Sequence, residues 1–173
     1  MFDLSHYGPD VAAILGDGHR LADLGPGTSN LAMKAKLAAF DPLSDLGPVQ
    51  DTEMARACHA GLWLYHDFLD ESHSISQDIH STTGSFWHAI MHRREPDAGN
   101  SKYWWQRVRS HPVLDQLARE APSFGYKFTG PSDFVDFCER VRGTGSSEET
   151  LAKRVQLLEW QLLFDCCFRA ATG

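Results

Sequence analysis

Apolar side chains recur along this chain at spacings of three and four residues and show no convincing two-residue alternation, which restricts it to packed helices. Met54, Cys58, Leu62, Tyr65 and Leu69 form one such stripe; Leu151, Val155, Leu158, Leu162 and Cys166 form another. At about 100° per residue these positions return to one face of a helix, whereas a half-buried strand alternates with period two. The first stripe predicts a helix over residues 51–71. The second predicts one over 146–170, opened by a capping box of Ser146 and Glu149. Further helices are predicted over 30–40, over 86–95 (capped by Thr83 or Ser85 and closed by Pro96), over 100–108 from Asn100, and over 130–141. A short element follows His111-Pro112, and residues 123–129 suit an extended segment. The first 50 residues are broken by Gly8-Pro9, Gly16-Asp17-Gly18, Gly25-Pro26-Gly27 and Gly47-Pro48. The expected fold is all-α: a single-domain irregular helical bundle of five or more helices over residues 1–173, with 1–50 as a loop-rich segment packed on it.

A chain of 173 residues buries roughly 70% of its unfolded surface without staples. Sixteen basic against twenty-three acidic residues give a net charge of −7, which disfavours partners held by a positive field, nucleic acid and anionic membrane among them. No apolar run approaches the ~18 residues of a spanning helix. The N-terminal residues do not read as a signal peptide. Cys58, Cys138, Cys166 and Cys167 form no Cys-x-x-Cys pair, so they read as four reduced thiols in a cytoplasmic protein.

Six of the nine histidines, at 59, 66, 73, 80, 88 and 92, fall in one stretch. On a continuous helix His59, His66 and His73 drift only about 20° per step, and Asp70 lies in the same arc. His88-x-x-x-His92, followed by Glu95, places two imidazoles and a carboxylate on one face of the next helix. Two imidazoles one turn apart can share a divalent ion, with further ligands from a neighbouring element. The expected ligands are His66, His73, His88 and His92, with Asp70 and Glu95 as catalytic or orienting carboxylates; the donor set suits zinc, iron or manganese. Histidines between packed helices are more often satisfied by hydrogen bonds than by metal. The adjacent His66-Asp67 is also found in HD-type phosphohydrolases, but their other ligands have no counterpart here.

Residues 92–109 mix Arg93, Arg94, Lys102, Arg107 and Arg109 with Tyr103, Trp104 and Trp105. This composition fits stacked bases and bound phosphates, yet equally aromatic core flanked by ion-paired arginines. The overall charge favours the second, with Arg93 and Arg94 available to a small anionic molecule and no nucleic acid bound. Glu159 follows the inward-facing Leu158 and is placed to pair with a buried Arg or His.

Three blocks, Gly61-Leu62-Trp63-Leu64-Tyr65-His66-Asp67-Phe68 through His73, Trp87-His88-Ala89-Ile90-Met91-His92-Arg93-Arg94-Glu95-Pro96-Asp97 through Trp104, and Glu159-Trp160-Gln161-Leu162-Leu163-Phe164-Asp165, together resemble an uncharacterised family of bacterial proteins frequent in planctomycetes and soil acidobacteria. The resemblance covers about residues 50–170 and implies kinship without a mechanism. Two functional readings stand: a helical protein with a His/carboxylate cleft acting as a metal-dependent enzyme on a small molecule, or a non-enzymatic binding or assembly domain whose histidines are structural. Helix-bundle metal-dependent transferases, with one early His and a later His-x-x-x-His, are an architectural analogy to the first.

Overall fold

The computed structural model describes residues 2–173, and among them it contains α- and 3-10 helices and no strand. The loop-rich N-terminal segment carries a 3-10 turn (Leu4–His6), α1 (Gly8–Leu15) and α2 (Leu31–Ala39). There follow α3 (Thr52–Tyr65), α4 (Leu69–Ser76), α5 (Thr82–Arg94), α6 (Ala98–Val108), α7 (Pro112–Glu120), a second 3-10 turn (Ala121–Phe124), α8 (Pro131–Val141) and α9 (Ser147–Thr172).

Three helices make the centre. From Ala57 to Tyr65 only His59 of α3 is not buried, and every residue of α5 from Thr83 to Arg94 is buried. A helix apolar on one stripe needs one partner; these are enclosed on all sides and so lie inside the bundle. They meet α9 at Gly61. A Cβ there would come within 2.8 Å of the Trp87 ring, so glycine permits the close approach of α3 and α5. The Trp160 indole N–H of α9 donates to the buried carbonyl of Gly61 at 2.9 Å. A smaller core of Leu117, Phe134, Cys138, Val141, Ala152 and Val155 joins α7, α8 and α9.

The helix predicted over 51–71 is two helices. α3 ends in a Schellman motif: Phe68 N–H returns to Trp63 C=O at 3.1 Å and Asp67 N–H to Leu64 C=O at 3.2 Å, with Asp67 in the left-handed region at φ 64°. The Phe68 ring meets Trp63 edge-on, the hydrophobic contact this motif carries. Glycine usually takes that position; here an aspartate does, and its surroundings hold it there. Arg20 and Arg94 both donate to its carboxylate, and Ser29 Oγ donates to its carbonyl at 2.8 Å. Gly27 lies against the carboxylate, where a Cβ would stand 2.5 Å from Oδ1.

The last turn of α5 thus carries two adjacent buried arginines on opposite errands. Arg94 goes to Asp67 and to the Leu64 carbonyl at 2.6 Å. Arg93 goes to Glu159 of α9, at 3.3 and 2.5 Å, with both side chains wholly buried and the guanidinium over the Phe134 ring. Glu159 is therefore the partner of a buried arginine. Removing one member of such a pair strands a charge in the core, a loss of about 3–5 kcal/mol. Glu159→Ala should lower the urea-unfolding free energy by about that amount, and Glu159→Gln, which keeps a hydrogen-bond acceptor, by less. A loss below about 1 kcal/mol for Glu159→Ala would contradict the pairing.

Candidate metal centre

Two imidazoles stand on α5. His88 and His92 are one turn apart, with ring centroids separated by 4.7 Å. The turn entering α5 sets which way they face: Ser81 caps the helix through Gly84 N–H, and Gly84 packs against the Ile79 carbonyl with no room for a Cβ. α4 supplies the third ring. His73 lies 4.5 Å from His88 and 5.5 Å from His92, centroid to centroid. One nitrogen from each of His73, His88 and His92 can be chosen so that all three lie within 4.8 Å of one another. α6 closes the far side with Trp104, whose ring is 4.1 Å from His88.

Hydrogen bonds set the tautomers. Ser76 Oγ donates to the His73 carbonyl at 3.3 Å, so it accepts from Nδ1–H of His88 at 3.1 Å. His92 Nδ1–H donates to the Glu95 carboxylate at 2.9 Å. Both rings are left with an Nε2 lone pair, the donor a metal takes, held by a partner on the opposite nitrogen. Nitrogens in a tetrahedral zinc shell stand about 3.3 Å apart, so closure requires side-chain shifts of about 1–1.5 Å. Burial, aided by the neighbouring imidazoles of His92 and His73, pushes His88 down to about 3. Burial lowers His92 too, against the pull of Glu95. Neutral imidazole is the metal-binding form.

The structure corrects the expected ligand set. His66 is not with the other three. It caps α3, donates from Nε2 to the Ile14 carbonyl at 2.9 Å and accepts at Nδ1 from Asn30 at 3.2 Å. Both nitrogens are taken, and the ring ties the N-terminal segment to the bundle. Asp70 is on the exposed face of α4, in a shallow surface hollow with Trp63 and Ile75. The cause of both departures is the break at Asp67: α4 does not continue the face of α3, so the spacing 59, 66, 73 no longer defines one line. Arg93 and Arg94 face inward to Glu159 and Asp67, so neither offers an outward-facing anion site, nor adds to a basic surface. Glu95 remains beside the cluster as the orienting carboxylate of His92. Ser76 carries no sequence signal of a metal site, and Trp104, expected as core aromatic, is brought beside His88 only by the α4–α5–α6 packing.

Two further histidines have structural partners. His59 Nε2 donates to the Leu37 carbonyl at 3.1 Å, and His111 caps α7 while meeting Thr83 Oγ1 at 3.2 Å. All four cysteines are free thiols, and among the described residues no helix is long and apolar enough to cross a membrane. No family model, curated protein or solved structure matches this chain.

Burial lowers the affinity of His59, His66, His88, His92 and His111 for protons in the folded state. Unfolded, each titrates near 6.5. Above that pH both states are neutral and the histidines give no pH dependence; below it the unfolded chain takes up protons the folded chain refuses. Stability should therefore be full above about pH 6.5 and fall as pH drops toward the folded values. Urea midpoints measured at pH 7.5 and 5.5 should show a clear decrease at 5.5. Equal midpoints would contradict the burial of these neutral rings.

Proposed function

We propose that His73, His88 and His92 bind one divalent transition metal, zinc before iron or manganese, and that the protein is a metal-dependent enzyme acting on a small molecule. The observation that carries this reading is the pair of imidazoles on α5, each held at Nδ1 by a hydrogen bond, with one nitrogen of each of His73, His88 and His92 lying within 4.8 Å of the others. An all-nitrogen set favours zinc, with iron possible, over magnesium, calcium and manganese, which prefer oxygen ligands. Three protein ligands leave a fourth position for water, the arrangement of catalytic rather than closed structural zinc sites. A metal there supplies a water acidified toward neutral pH. Glu95 holds His92 in place and raises its basicity; Ser76 does the same for His88. The four reduced thiols are consistent with a cytoplasmic setting.

A second reading is supported by the 2% exposure of His88 and its contact with Trp104: the three rings form a packed polar core of a non-enzymatic domain. Metal content separates the two. The untagged protein, stripped with chelator, reloaded with zinc and dialysed, should carry close to one ion per chain by elemental analysis. His73→Ala, His88→Ala and His92→Ala should each lose it, while His66→Ala, though less stable, should keep it. Glu95→Gln should weaken binding about 10–100-fold. With cobalt in place of zinc, added azide should change the visible spectrum, as an open coordination position requires. Zinc below about a tenth of an ion per chain, or equal loss in His66→Ala, would leave only the structural reading.

A further inference from the structure

The core uses up only part of the basic and aromatic run over 92–109. Arg93 and Arg94 go to Glu159 and Asp67, and Lys102 goes to Asp136 at 2.6 Å. Arg107, in the last turn of α6, and Arg109, at its C-cap, are exposed and have no carboxylate within ion-pairing distance among the described residues. The Arg107 guanidinium lies 5.2 Å from the Trp104 ring centre and 6.0 Å from that of Tyr103, which holds it along α6.

Both arginines line one hollow of about 500 Å³, a volume within the range of small-molecule sites. Tyr103 joins them from α6, and the chain entering α5 contributes His80, Ser81 and Thr82 from the other side. No carboxylate lines it; Asp78, the acid nearest to His80 in sequence, is not part of the wall. The free groups are mostly donors. Ser81 Oγ accepts from Gly84 N–H at 3.4 Å, so its own proton remains, and the Thr82 hydroxyl has no partner among the described residues. Ser85, buried on α5, also lines the hollow but spends its proton on the Ser81 carbonyl at 3.2 Å. Two permanent positive charges thus border a space without a negative one, in a chain whose net charge is −7. A carboxylate brings one charge and two oxygens and leaves a guanidinium unanswered. A phosphate group brings about −1.5 to −2 and three strong acceptor oxygens, which matches two arginines and two hydroxyls.

We propose that this hollow binds a small phosphate dianion, free or as a monoester. Its oxygens accept from Arg107 and Arg109 and from the hydroxyls of Ser81 and Thr82, and the exposed Tyr103 ring is the surface against which an ester's organic part lies. The hollow shares no residue with the histidine cluster and continues the same stripe of α5, where Ser81, Ser85, His88 and His92 follow one another at spacings of four, three and four. The site stands whether or not the histidines hold a metal.

The test is a thermal-unfolding titration of the whole chain at pH 7.5, with chelator present so that no metal contributes and ionic strength held constant with sodium chloride. Inorganic phosphate and glycerol 3-phosphate are titrated separately, and at least one should raise Tm saturably, by about 3–6 °C at ten times its half-saturating concentration. Tighter binding of the ester assigns the site to a phosphorylated small molecule, and tighter binding of inorganic phosphate to the free ion. Sulfate should compete, and acetate should not. Arg107→Gln and Arg109→Gln, both surface changes, should fold by circular dichroism and each weaken binding about tenfold. Arg119→Gln, which removes an exposed arginine outside the hollow, should leave it unchanged. An unsaturable response, an equal shift with acetate, or undiminished binding in both arginine variants would overturn the proposal. Tighter binding of a single-stranded oligothymidylate than of either phosphate would also overturn it, making the hollow part of a nucleic-acid face.

Discussion

The Arg94–Asp67 ion pair decides where the rest of this bundle can go. It joins the last turn of the most buried helix to a residue in a left-handed conformation that L side chains seldom adopt. Neither partner is stable alone in that place: an uncompensated guanidinium in the core is costly, and an aspartate at positive φ needs fixed partners to hold it there. Together they terminate α3, and Arg20 draws the N-terminal segment onto the same carboxylate. The adjacent Arg93 binds α9 through Glu159. Two consecutive side chains of α5 thus fix its rotation against α3 on one side and α9 on the other. His88 and His92 are then turned toward α4 and α6.

The helices were legible in the sequence wherever a single apolar stripe or a capping signal marked them. α9, with its Ser146–Glu149 box, begins as its composition dictates: Ser146 Oγ accepts from Glu149 N–H, and the Glu149 carboxylate accepts from Gly145 N–H. α1 was hidden because Gly8-Pro9 reads as a turn, although Pro9 in fact occupies the first turn of a helix, where its missing N–H costs nothing. α4 was hidden for a different reason. Its run Ser72-His73-Ser74-Ile75-Ser76 forms helix poorly in isolation, and tertiary contacts override the propensity: Ser72 and Ser76 are buried, Ser76 holding the His73 carbonyl and the His88 ring.

The candidate site was half legible, and the boundary is physical. His88-x-x-x-His92 and Glu95 lie on one uninterrupted helix and its cap, so spacing alone was enough to put them together. His66 and Asp70 were placed with them by extending a period through residue 67. A helix stop at glycine is visible in sequence. A stop at aspartate, enforced by arginines 47 residues upstream and 27 residues downstream, is not.

That same stop explains why His73 reaches the pair on α5 and His66 does not. On an unbroken helix the two rings would lie within about 20° of each other, and both would face whatever His66 faces. His66 faces α1 and the residue before α2. With a left-handed residue at 67, α3 stops, and α4 begins as a separate helix that packs against α5 as well as α3. Three rings converge because α3 ends one turn before its apolar stripe does. Asp67 is consequently the residue on which both ends of the molecule depend: its backbone ends α3 and lets α4 bring His73 to the histidine cluster, while its carboxylate, shared by Arg20 and Arg94, ties the N-terminal segment to α5.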